Sequence, residues 1–296
     1  MKNGGRERGG GPERLWAFLR LIRPINCLMM GFAVLVGASI ALAGSKPEGM
    51  GPRLLLGFST GFLLTGASMA INDYYDRDID AINEPGRPIP SGLVKPREAL
   101  VLTAALAALG LSAAHLTGPN CLAMALLSIA VSFSYSTKGK RTGLAGNLLV
   151  SACVAIPFIY GGFAAGRGLG PLLGIFASMA FLSNAGREVT KGIADVEGDR
   201  TRGVRTVAVA RGGRAAAALA SALFGMAVAL SAIPPLLGLV SPWYIPPVAA
   251  ADLGFLHSSL RLIRNPARDE ALKAKNLALL WMALGMVAFL AGPSLR

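Results

Sequence analysis

Residues 61–80 read GFLLTGASMAINDYYDRDID, an apolar run that ends in a cluster of carboxylates. The apolar part is typical of a membrane-spanning helix, and acids are costly at a membrane boundary unless a cation holds them. A second cluster, Asp195-Val196-Glu197-Gly198-Asp199, follows another apolar run. Together with the nearby Glu84 and Glu188, the two clusters contain nine of the 16 acidic residues, so the acids are concentrated rather than scattered over charged loops. We therefore expect the chemistry of the chain at these two clusters.

The composition places these clusters in a membrane protein. Of 296 residues, 53% are hydrophobic and only 15% are charged, and the mean hydropathy is +0.53. These values exclude an ordinary soluble domain and predict an all-α, polytopic membrane protein with nine spans. Prolines interrupt the region 213–260, which leaves the limits of the seventh and eighth spans open. The predicted spans are 22–43, 53–74, 98–117, 120–136, 143–165, 169–190, 213–234, 238–260 and 272–292.

The positive charge is distributed by loop. The net charge is +13, and 25 of the 29 Lys and Arg residues fall in alternate loops on one side of the predicted spans. Because positive loops stay in the cytoplasm, we expect a cell-membrane protein with its N-terminus and both acidic clusters inside. The same distribution argues against a nucleic-acid partner, since the cations follow the topology instead of forming one basic surface.

The domain organisation is simple. Residues 1–14 are basic and Gly-rich and are predicted to be a flexible tail, and residues 15–296 form a single transmembrane domain. The first apolar run is too long for a signal-peptide core, so we expect no cleavage. Cys27, Cys121 and Cys153 stand singly within apolar spans, a pattern typical of small core residues and not of disulfides or metal sites.

The two clusters also suggest an internal repeat. One ends the second predicted span and the other follows the sixth, so four spans separate them and both clusters face the same side. This spacing favours two parallel four-helix repeats plus one additional helix over an inverted repeat. In this alignment Asp76 corresponds to Asp195, and Asp80 corresponds to Asp199.

The spacing within the first cluster predicts a cation site. On a helix, Asn72, Asp76 and Asp80 share one face, with Asp73 beside them, and the like charges repel each other at the partially negative end of the helix. Carboxylate and amide oxygens suit Mg²⁺, which completes its shell with water and phosphate oxygens. The alternative is that the acids only pair with Arg and Lys of the same loops. The candidate metal ligands are Asn72, Asp76, Asp80, Asp195 and Asp199.

The motif Asn72-Asp73-x-x-Asp76-x-x-x-Asp80, followed by Asp195-x-x-x-Asp199, resembles the two acidic motifs of the UbiA superfamily of intramembrane prenyltransferases. The resemblance implies nine helices around a central cavity, Mg²⁺-dependent binding of a prenyl diphosphate donor, and prenyl transfer to a lipophilic or phosphorylated acceptor. Many members carry a further acid at the position of Gly192. Other motifs that support the resemblance are Arg23-Pro24-x-Asn26, Arg87-Pro88-Ile89-Pro90-Ser91-Gly92, Tyr135-Ser136-x-Lys138, Gly146-Asn147, Arg187-Glu188-x-x-Lys191 and Gly198-Asp199-x-x-x-Gly203-x-x-Thr206.

These motifs imply roles for individual side chains. Asp73 or Asp80 is expected to take the proton of the acceptor hydroxyl. Tyr135 could offer its ring to an allylic cation, or could equally anchor the helix at the membrane interface. The residues expected to bind the diphosphate or the substrates are Arg23, Asn26, Arg87, Lys138, Asn147, Arg187 and Lys191.

The acceptor is the open part of this interpretation. The amino-acid sequence around the two clusters is most similar to that of the family branch that prenylates geranylgeranylglyceryl phosphate in ether-lipid synthesis. Aromatic and chlorophyll-type prenyltransferases remain the alternative within the family, and a cation transporter is the alternative of another class. Asp252 lies inside the eighth predicted span, where an acid is either functional or bonded to a hydroxyl of a neighbouring helix.

Overall fold

The computed structural model describes residues 11–43, 45, 49–201 and 203–294, apart from the side chains of Asn83 and Ser294. Residues 1–10 of the predicted basic tail lie outside the described residues, and residues 11–14 form the first turn of a helix. The α-helices are α1 (Gly11–Ile22), α2 (Pro24–Leu42), α3 (Gly51–Asn83), α4 (Pro96–Thr117), α5 (Pro119–Thr137), α6 (Leu144–Ala164), α7 (Pro171–Ala194), α8 (Val196–Thr201), α9 (Val207–Ser231), α10 (Ile233–Leu236), α11 (Ile245–Arg264) and α12 (Arg268–Ser294).

The all-α, polytopic prediction is confirmed. Within the described ranges, nine helices have 19 residues or more. Seven segments are long and apolar enough to cross a membrane, namely α2 to α6, α9 together with α10, and α12. The other two long helices, α7 and α11, carry several charged residues each. The predicted number of nine therefore matches the long helices, while seven meet the apolar criterion.

Proline determines where several of these helices begin. Pro24, Pro52, Pro96, Pro119 and Pro171 each occupy one of the first two positions of a long helix. Proline suits these positions because the first turn has no intrahelical acceptor for its missing N–H, and its fixed φ is already helical. The starts that hydropathy predicted for α2 to α5 and α7 fall within two residues of these observed starts.

Two boundaries differ from the predicted spans by seven residues or more. Helix α3 continues to Asn83 instead of ending at 74, because its acidic segment stays helical and extends the apolar part. Helix α11 begins at Ile245 instead of 238, since residues Pro242–Tyr244 form a 3₁₀ turn ahead of it. The face shared by Asn72, Asp76 and Asp80 is thus helical, as the spacing predicted.

The packing repeats between the two halves. Helix α3 packs against both α2 and α4, and α7 packs against both α6 and α9, which is the arrangement expected of two parallel repeats. The halves meet where α2 crosses α6. There an added Cβ at Gly37 would lie 2.0 Å from the carbonyl oxygen of Phe158, and one at Gly161 would lie 2.1 Å from that of Val34. Only glycine allows the two backbones to approach this closely.

A cavity of about 1060 Å³ lies between α2, α3, α5, α6 and α7. The corresponding space between α7, α9, α11 and α12 is filled by a packed core that includes Phe224 and Phe255, whose rings stack at 5.0 Å. The repeat is therefore asymmetric: the first half, with α6 and α7, forms the cavity, and the second half packs solidly beside it.

Candidate functional site

The C-terminal part of α3 presents the first acidic cluster to the cavity. Asn72, Asp76 and Asp80 all line it. The side chain of Asn72 donates from Nδ2 to Asp76 Oδ2 at 3.2 Å, as expected for residues four apart on a helix. The amide therefore orients the carboxylate that follows it by one turn.

Two acids of this cluster, Asp73 and Asp80, are buried and paired with arginines. Arg23 Nη2 donates to Asp73 Oδ1 at 2.7 Å, and Arg87 Nη1 donates to Asp80 Oδ2 at 2.7 Å while lying 3.6 Å from Asp73 Oδ1. Both carboxylates are buried. A buried carboxylate is stable only when it is paired, so the ion-pair interpretation holds for Asp73 and Asp80. Asp73 lies outside the lining of the main cavity and faces a smaller one.

The backbone at Arg23 directs its side chain to Asp73. Arg23 has φ 52 and ψ 72, a left-handed conformation that is uncommon for a residue with a Cβ, and it separates α1 from α2. The turn folds α1 back over α3, where Ala17 and Leu21 pack with Ala70. Strain of this kind persists only where the surrounding structure holds it, and it is frequent at functional sites.

The connection between α5 and α6 supplies a cation that is not among the predicted site residues. The Lys140 ammonium pairs with Asp76 Oδ2 and lines the cavity, whereas Lys138, the lysine predicted for the site, is exposed and is not part of the lining. Burial lowers the pKa of Lys140, and the hydrogen bond to Asp76 partly offsets this effect. The 3₁₀ turn Gly139–Arg141 decides which lysine points inward. Lys140 lies two residues after Lys138 of the Tyr135-Ser136-x-Lys138 motif, and no sequence pattern identified it as the lysine that faces the cavity.

The second acidic cluster lies across a helix break. Helix α7 ends at Ala194, Asp195 is its C-cap, and α8 begins at Val196. Asp195 and Asp199 are therefore not on one uninterrupted helix, unlike Asn72, Asp76 and Asp80. The turn nevertheless continues, since Asp199 N donates to Asp195 O at 2.9 Å, and both side chains line the same cavity as Asp76.

The last turns of α7 carry two cations and an acid into the cavity. Arg187 Nη1 donates to Glu188 Oε1 at 3.0 Å, and Lys191 Nζ lies 3.7 Å from Glu188 Oε2. The Nε atom of Arg187 is buried and has no hydrogen-bond partner within the described part of the chain. A buried donor without an acceptor is unfavourable, so this position suits an oxygen-rich anion.

Three further predicted residues also line the cavity. They are Asn26 on α2, Tyr135 on α5 and Asn147 on α6. The ring of Tyr135 lies 5.7 Å from Lys140 Nζ, so its π-face is directed at a cation in this structure. This geometry supports the first of the two roles predicted for Tyr135.

A smaller cavity of about 420 Å³ adjoins the main one. Arg20, Arg23 and Arg87 contribute three guanidinium groups to its lining, together with Asp73 and Glu84. Arg87 also donates from Nε to Glu84 Oε2 at 2.8 Å, which lowers the pKa of Glu84 and raises that of Arg87. The three arginines exceed the two acids, so this space favours an anion.

The donor atoms around the main cavity fit a divalent cation. Asn72 and Asp76 approach from α3, and Asp195 and Asp199 approach from the α7–α8 junction, so the set consists of hard oxygen atoms. Among the described residues, no three His, Cys, Asp or Glu side chains converge as a preformed metal cluster. Mg²⁺ that binds together with a substrate phosphate needs only one or two protein carboxylates. In this structure the Asp76 carboxylate already has a cationic partner, the Lys140 ammonium.

Asp252 belongs to a different environment. Its Oδ2 lies 2.7 Å from Ser231 Oγ on α9, and it is not part of the cavity lining. Of the two interpretations left open by the sequence, the structure therefore supports the hydrogen bond to a neighbouring helix.

Comparison with known proteins agrees with this geometry. The model of the UbiA prenyltransferase family matches residues 30–286. A curated relative from Methanothrix thermoacetophila, named digeranylgeranylglyceryl phosphate synthase, is 38% identical over 275 residues, which cover 93% of this chain and 98% of the relative.

Solved structures share the fold. A structure that concerns digeranylgeranylglyceryl phosphate synthase in membranes superposes with a TM-score of 0.84 at 29% identity, covering 96% of this chain and all of the other. A UbiA homologue from Archaeoglobus fulgidus, bound to DMAPP and Mg²⁺, has a TM-score of 0.65 at 20% identity and covers 92% of this chain and 98% of the other. At that identity the second comparison supports the fold alone.

Proposed function

Because this chain belongs to the UbiA prenyltransferase family, we propose that it transfers a geranylgeranyl group from geranylgeranyl diphosphate to geranylgeranylglyceryl phosphate, with Mg²⁺ as its cofactor. The observation that carries the proposal is the shape and charge of one cavity. Its polar end holds Asp76, Asp195, Asp199, Arg187 and Lys140, and its other end is lined by apolar helix faces. A prenyl diphosphate has the same division into an anionic head and an apolar tail.

We assign the diphosphate to the polar end. When bound between the two acidic clusters, Mg²⁺ would neutralise part of the charge that develops on the departing diphosphate. Arg187, with its unpaired Nε, and Lys191 donate to the remaining phosphate oxygens. Lys140 forms an ion pair with Asp76 in this structure. Once Asp76 has another cationic partner, the Lys140 ammonium can donate to a phosphate oxygen instead.

The reaction exchanges one carbon–oxygen bond for another. The bond between C1 of the prenyl chain and the diphosphate breaks, and the electron pair leaves with the diphosphate. The hydroxyl oxygen of the acceptor forms the new bond to C1 and loses its proton. We assign that proton to Asp80, which lines the cavity, and the Arg87 guanidinium holds this carboxylate in place. The ring of Tyr135 stabilises positive charge on the allylic carbon.

The acceptor phosphate suits the smaller cavity. A phosphate monoester carries close to two negative charges at neutral pH. Arg20, Arg23 and Arg87 offer guanidinium groups, which bind phosphate oxygens in pairs. Asp73 and Glu84 partly neutralise these groups, so the net positive charge is modest, which suits an acceptor that must also dissociate as product.

One assay tests the proposed function. Purified protein in detergent would receive radiolabelled geranylgeranyl diphosphate and, separately, geranylgeranylglyceryl phosphate, 4-hydroxybenzoate or a chlorophyllide. We expect labelled lipid only with geranylgeranylglyceryl phosphate, and only with Mg²⁺ present, so EDTA should stop the reaction. Labelling of 4-hydroxybenzoate or the chlorophyllide instead would leave the donor assignment intact and reject the acceptor.

The acceptor site has its own test. Arg20 lines only the smaller cavity, so replacing Arg20 by Gln should raise the KM for geranylgeranylglyceryl phosphate by roughly one to two decades, the scale of a lost charge-assisted hydrogen bond. The KM for geranylgeranyl diphosphate should remain within about twofold. Arg77→Gln, at an arginine of α3 that lines neither cavity, is the matched control. Equal losses for donor and acceptor would reject the division between the two cavities.

A further inference from the structure

The cavity is closed at its apolar end by two hydrogen-bonded side chains. Tyr160 on α6 donates from its hydroxyl to Thr60 Oγ1 on α3 at 3.2 Å, and Thr60 donates to Leu56 O at 2.9 Å. Both residues line the cavity, yet Tyr160 is only 3% exposed and Thr60 only 1%. The hydrogen bond therefore joins α3 to α6 across the end of the cavity.

Packed side chains support this pair from behind. Tyr160 belongs to a buried cluster with Ala114, Cys121 and Ala164, none of which is part of the cavity lining. Because buried side chains of this kind interdigitate at the density of an organic crystal, a longer ligand cannot push past them at low cost. The end of the cavity is thus a firm boundary and not a flexible one.

The depth of the cavity matches one chain length. The head group is assigned to the level of Asp76 and Asp80, so the space left for the prenyl tail along α3 extends from Asn72 to Thr60. The 12 residues between these two positions correspond to about 18 Å of helix at 1.5 Å per residue. An extended isoprene unit spans roughly 5 Å, by proportion to the 3.8 Å that three backbone bonds cover. Four fully extended units, as in a geranylgeranyl chain, require about 20 Å, which is close to this depth, whereas five require about 25 Å and exceed it.

We propose that the Tyr160–Thr60 pair is the specificity determinant that limits the prenyl donor to twenty carbons. This inference rests on the proposed function and adds a residue-level reason for the donor length. A second position, Ser128 on α5, lines the cavity between its two ends and lies one helical turn from Ser132, which donates to Ser68 at 2.7 Å. A large side chain at Ser128 would close the cavity about halfway along.

The test compares donors of ten, twenty and twenty-five carbons at fixed acceptor, with kcat/KM as the readout. For the parent protein we expect the twenty-carbon donor to exceed the twenty-five-carbon donor by about ten- to a hundredfold, the scale on which pockets reject additional methylene groups. Tyr160→Leu removes the ring and the hydroxyl and should reduce this ratio to near unity. Ser128→Phe should reverse the selectivity, since the ten-carbon donor still fits and the twenty-carbon donor does not.

Controls separate length selection from folding. Tyr160→Phe keeps the ring and loses only the hydroxyl, so it should retain the preference for twenty carbons. Thr60→Ala provides a second, smaller enlargement of the same end if Tyr160→Leu is not stable in detergent. A parent protein that uses both long donors equally, or a folded Tyr160→Leu variant with unchanged selectivity, would overturn the inference. Absence of transfer from every donor in the parent would instead reject the proposed function.

Discussion

Asp76 and Asp78 are two residues apart on α3 and have opposite surroundings. Asp76 faces the cavity beside Asn72 and Lys140, whereas the Asp78 side chain is 85% exposed and its carboxylate lies 3.6 Å from Arg77. Helical geometry explains the difference, because side chains two residues apart on a helix point in nearly opposite directions. The acidic cluster therefore contains site residues and surface residues side by side.

This contrast gives a prediction at the residue scale. Asp76→Ala or Asp195→Ala should abolish prenyl transfer while the protein remains folded, because each removes a hard oxygen ligand from one side of the Mg²⁺ position. Transfer by the purified variants would be measured at matched Mg²⁺, and folding by thermal unfolding in detergent. Asp78→Ala, the matched control, should transfer at the parent rate. Near-parental activity in both cavity variants would remove the metal assignment.

The two lysines of the α5–α6 connection allow a second comparison. Lys140→Gln should lower kcat/KM for the prenyl diphosphate by about ten- to a hundredfold, since a charge-assisted hydrogen bond contributes roughly 1.5–3 kcal/mol. Lys138→Gln should change it by less than about twofold, because exposed charges contribute little. Initial rates at varied donor concentration would distinguish them. The sequence motif favoured Lys138, so a larger effect at Lys138 would support the motif over the observed side-chain positions.

At the scale of elements, the crossing of α2 and α6 holds the two halves together. Gly37 and Gly161 face the carbonyl oxygens of Phe158 and Val34, so the contact is between backbones and leaves no space for a methyl group. Both helices also line the cavity. Their separation therefore affects the width of the substrate site as well as stability.

We accordingly expect Gly37→Ala to destabilise the protein by about 1–3 kcal/mol, the usual cost of overpacking a tight contact. Gly225→Ala is the matched control, because Gly225 also lies within a long helix and an added Cβ would meet no atom within 4 Å. That variant should be as stable as the parent or slightly more stable. Thermal unfolding in one detergent would provide both values, and equal melting temperatures for the two variants would contradict the close approach.

At the scale of the whole molecule, α3 is longer than a bilayer requires. Its 33 residues correspond to about 50 Å, against roughly 30 Å of hydrocarbon. One end must extend into the polar region, and the acidic cluster identifies which end that is. The site is then reached by a water-soluble diphosphate head from the aqueous side, while the cavity offers the tail an apolar environment.

The orientation of that end is a prediction from the charges. We expect cysteines introduced at Ser91 and Ser45, in a background without Cys27, Cys121 and Cys153, to be labelled from opposite sides of the membrane, with Ser91 on the cytoplasmic side. The two positions lie beyond opposite ends of α3. Impermeant maleimide applied to sealed spheroplasts and to inverted vesicles would distinguish the sides. Labelling of both cysteines from one side would reject the topology.

The second half of the molecule shows why a repeat need not repeat a site. Helices α3 and α7 occupy equivalent places, and both lead to acidic residues. Phe224 packs close to Gly186, and its ring stacks on Phe255, so large side chains occupy the interior of this half. The two acidic ends therefore serve one cavity together instead of forming two sites.

Much of this arrangement follows from the sequence alone. Hydropathy predicts the long helices, and the four-residue spacing of Asn72, Asp76 and Asp80 predicts one oxygen-bearing face. Both predictions depend on residues that are close in the chain, where the helix itself sets the geometry. The family motifs likewise identified the cavity residues on α2, α3, α6 and α7.

Contacts between distant parts of the chain were decided only by the tertiary structure. Arg23 and Asp73 are 50 residues apart, Lys140 and Asp76 are 64 apart, and Tyr160 and Thr60 are 100 apart. No local sequence pattern predicts that Lys140 rather than Lys138 faces the cavity, or that Tyr160 lies at the end of the cavity. Those outcomes depend on how the helices pack, because a side chain finds its partner only after several elements have taken their places.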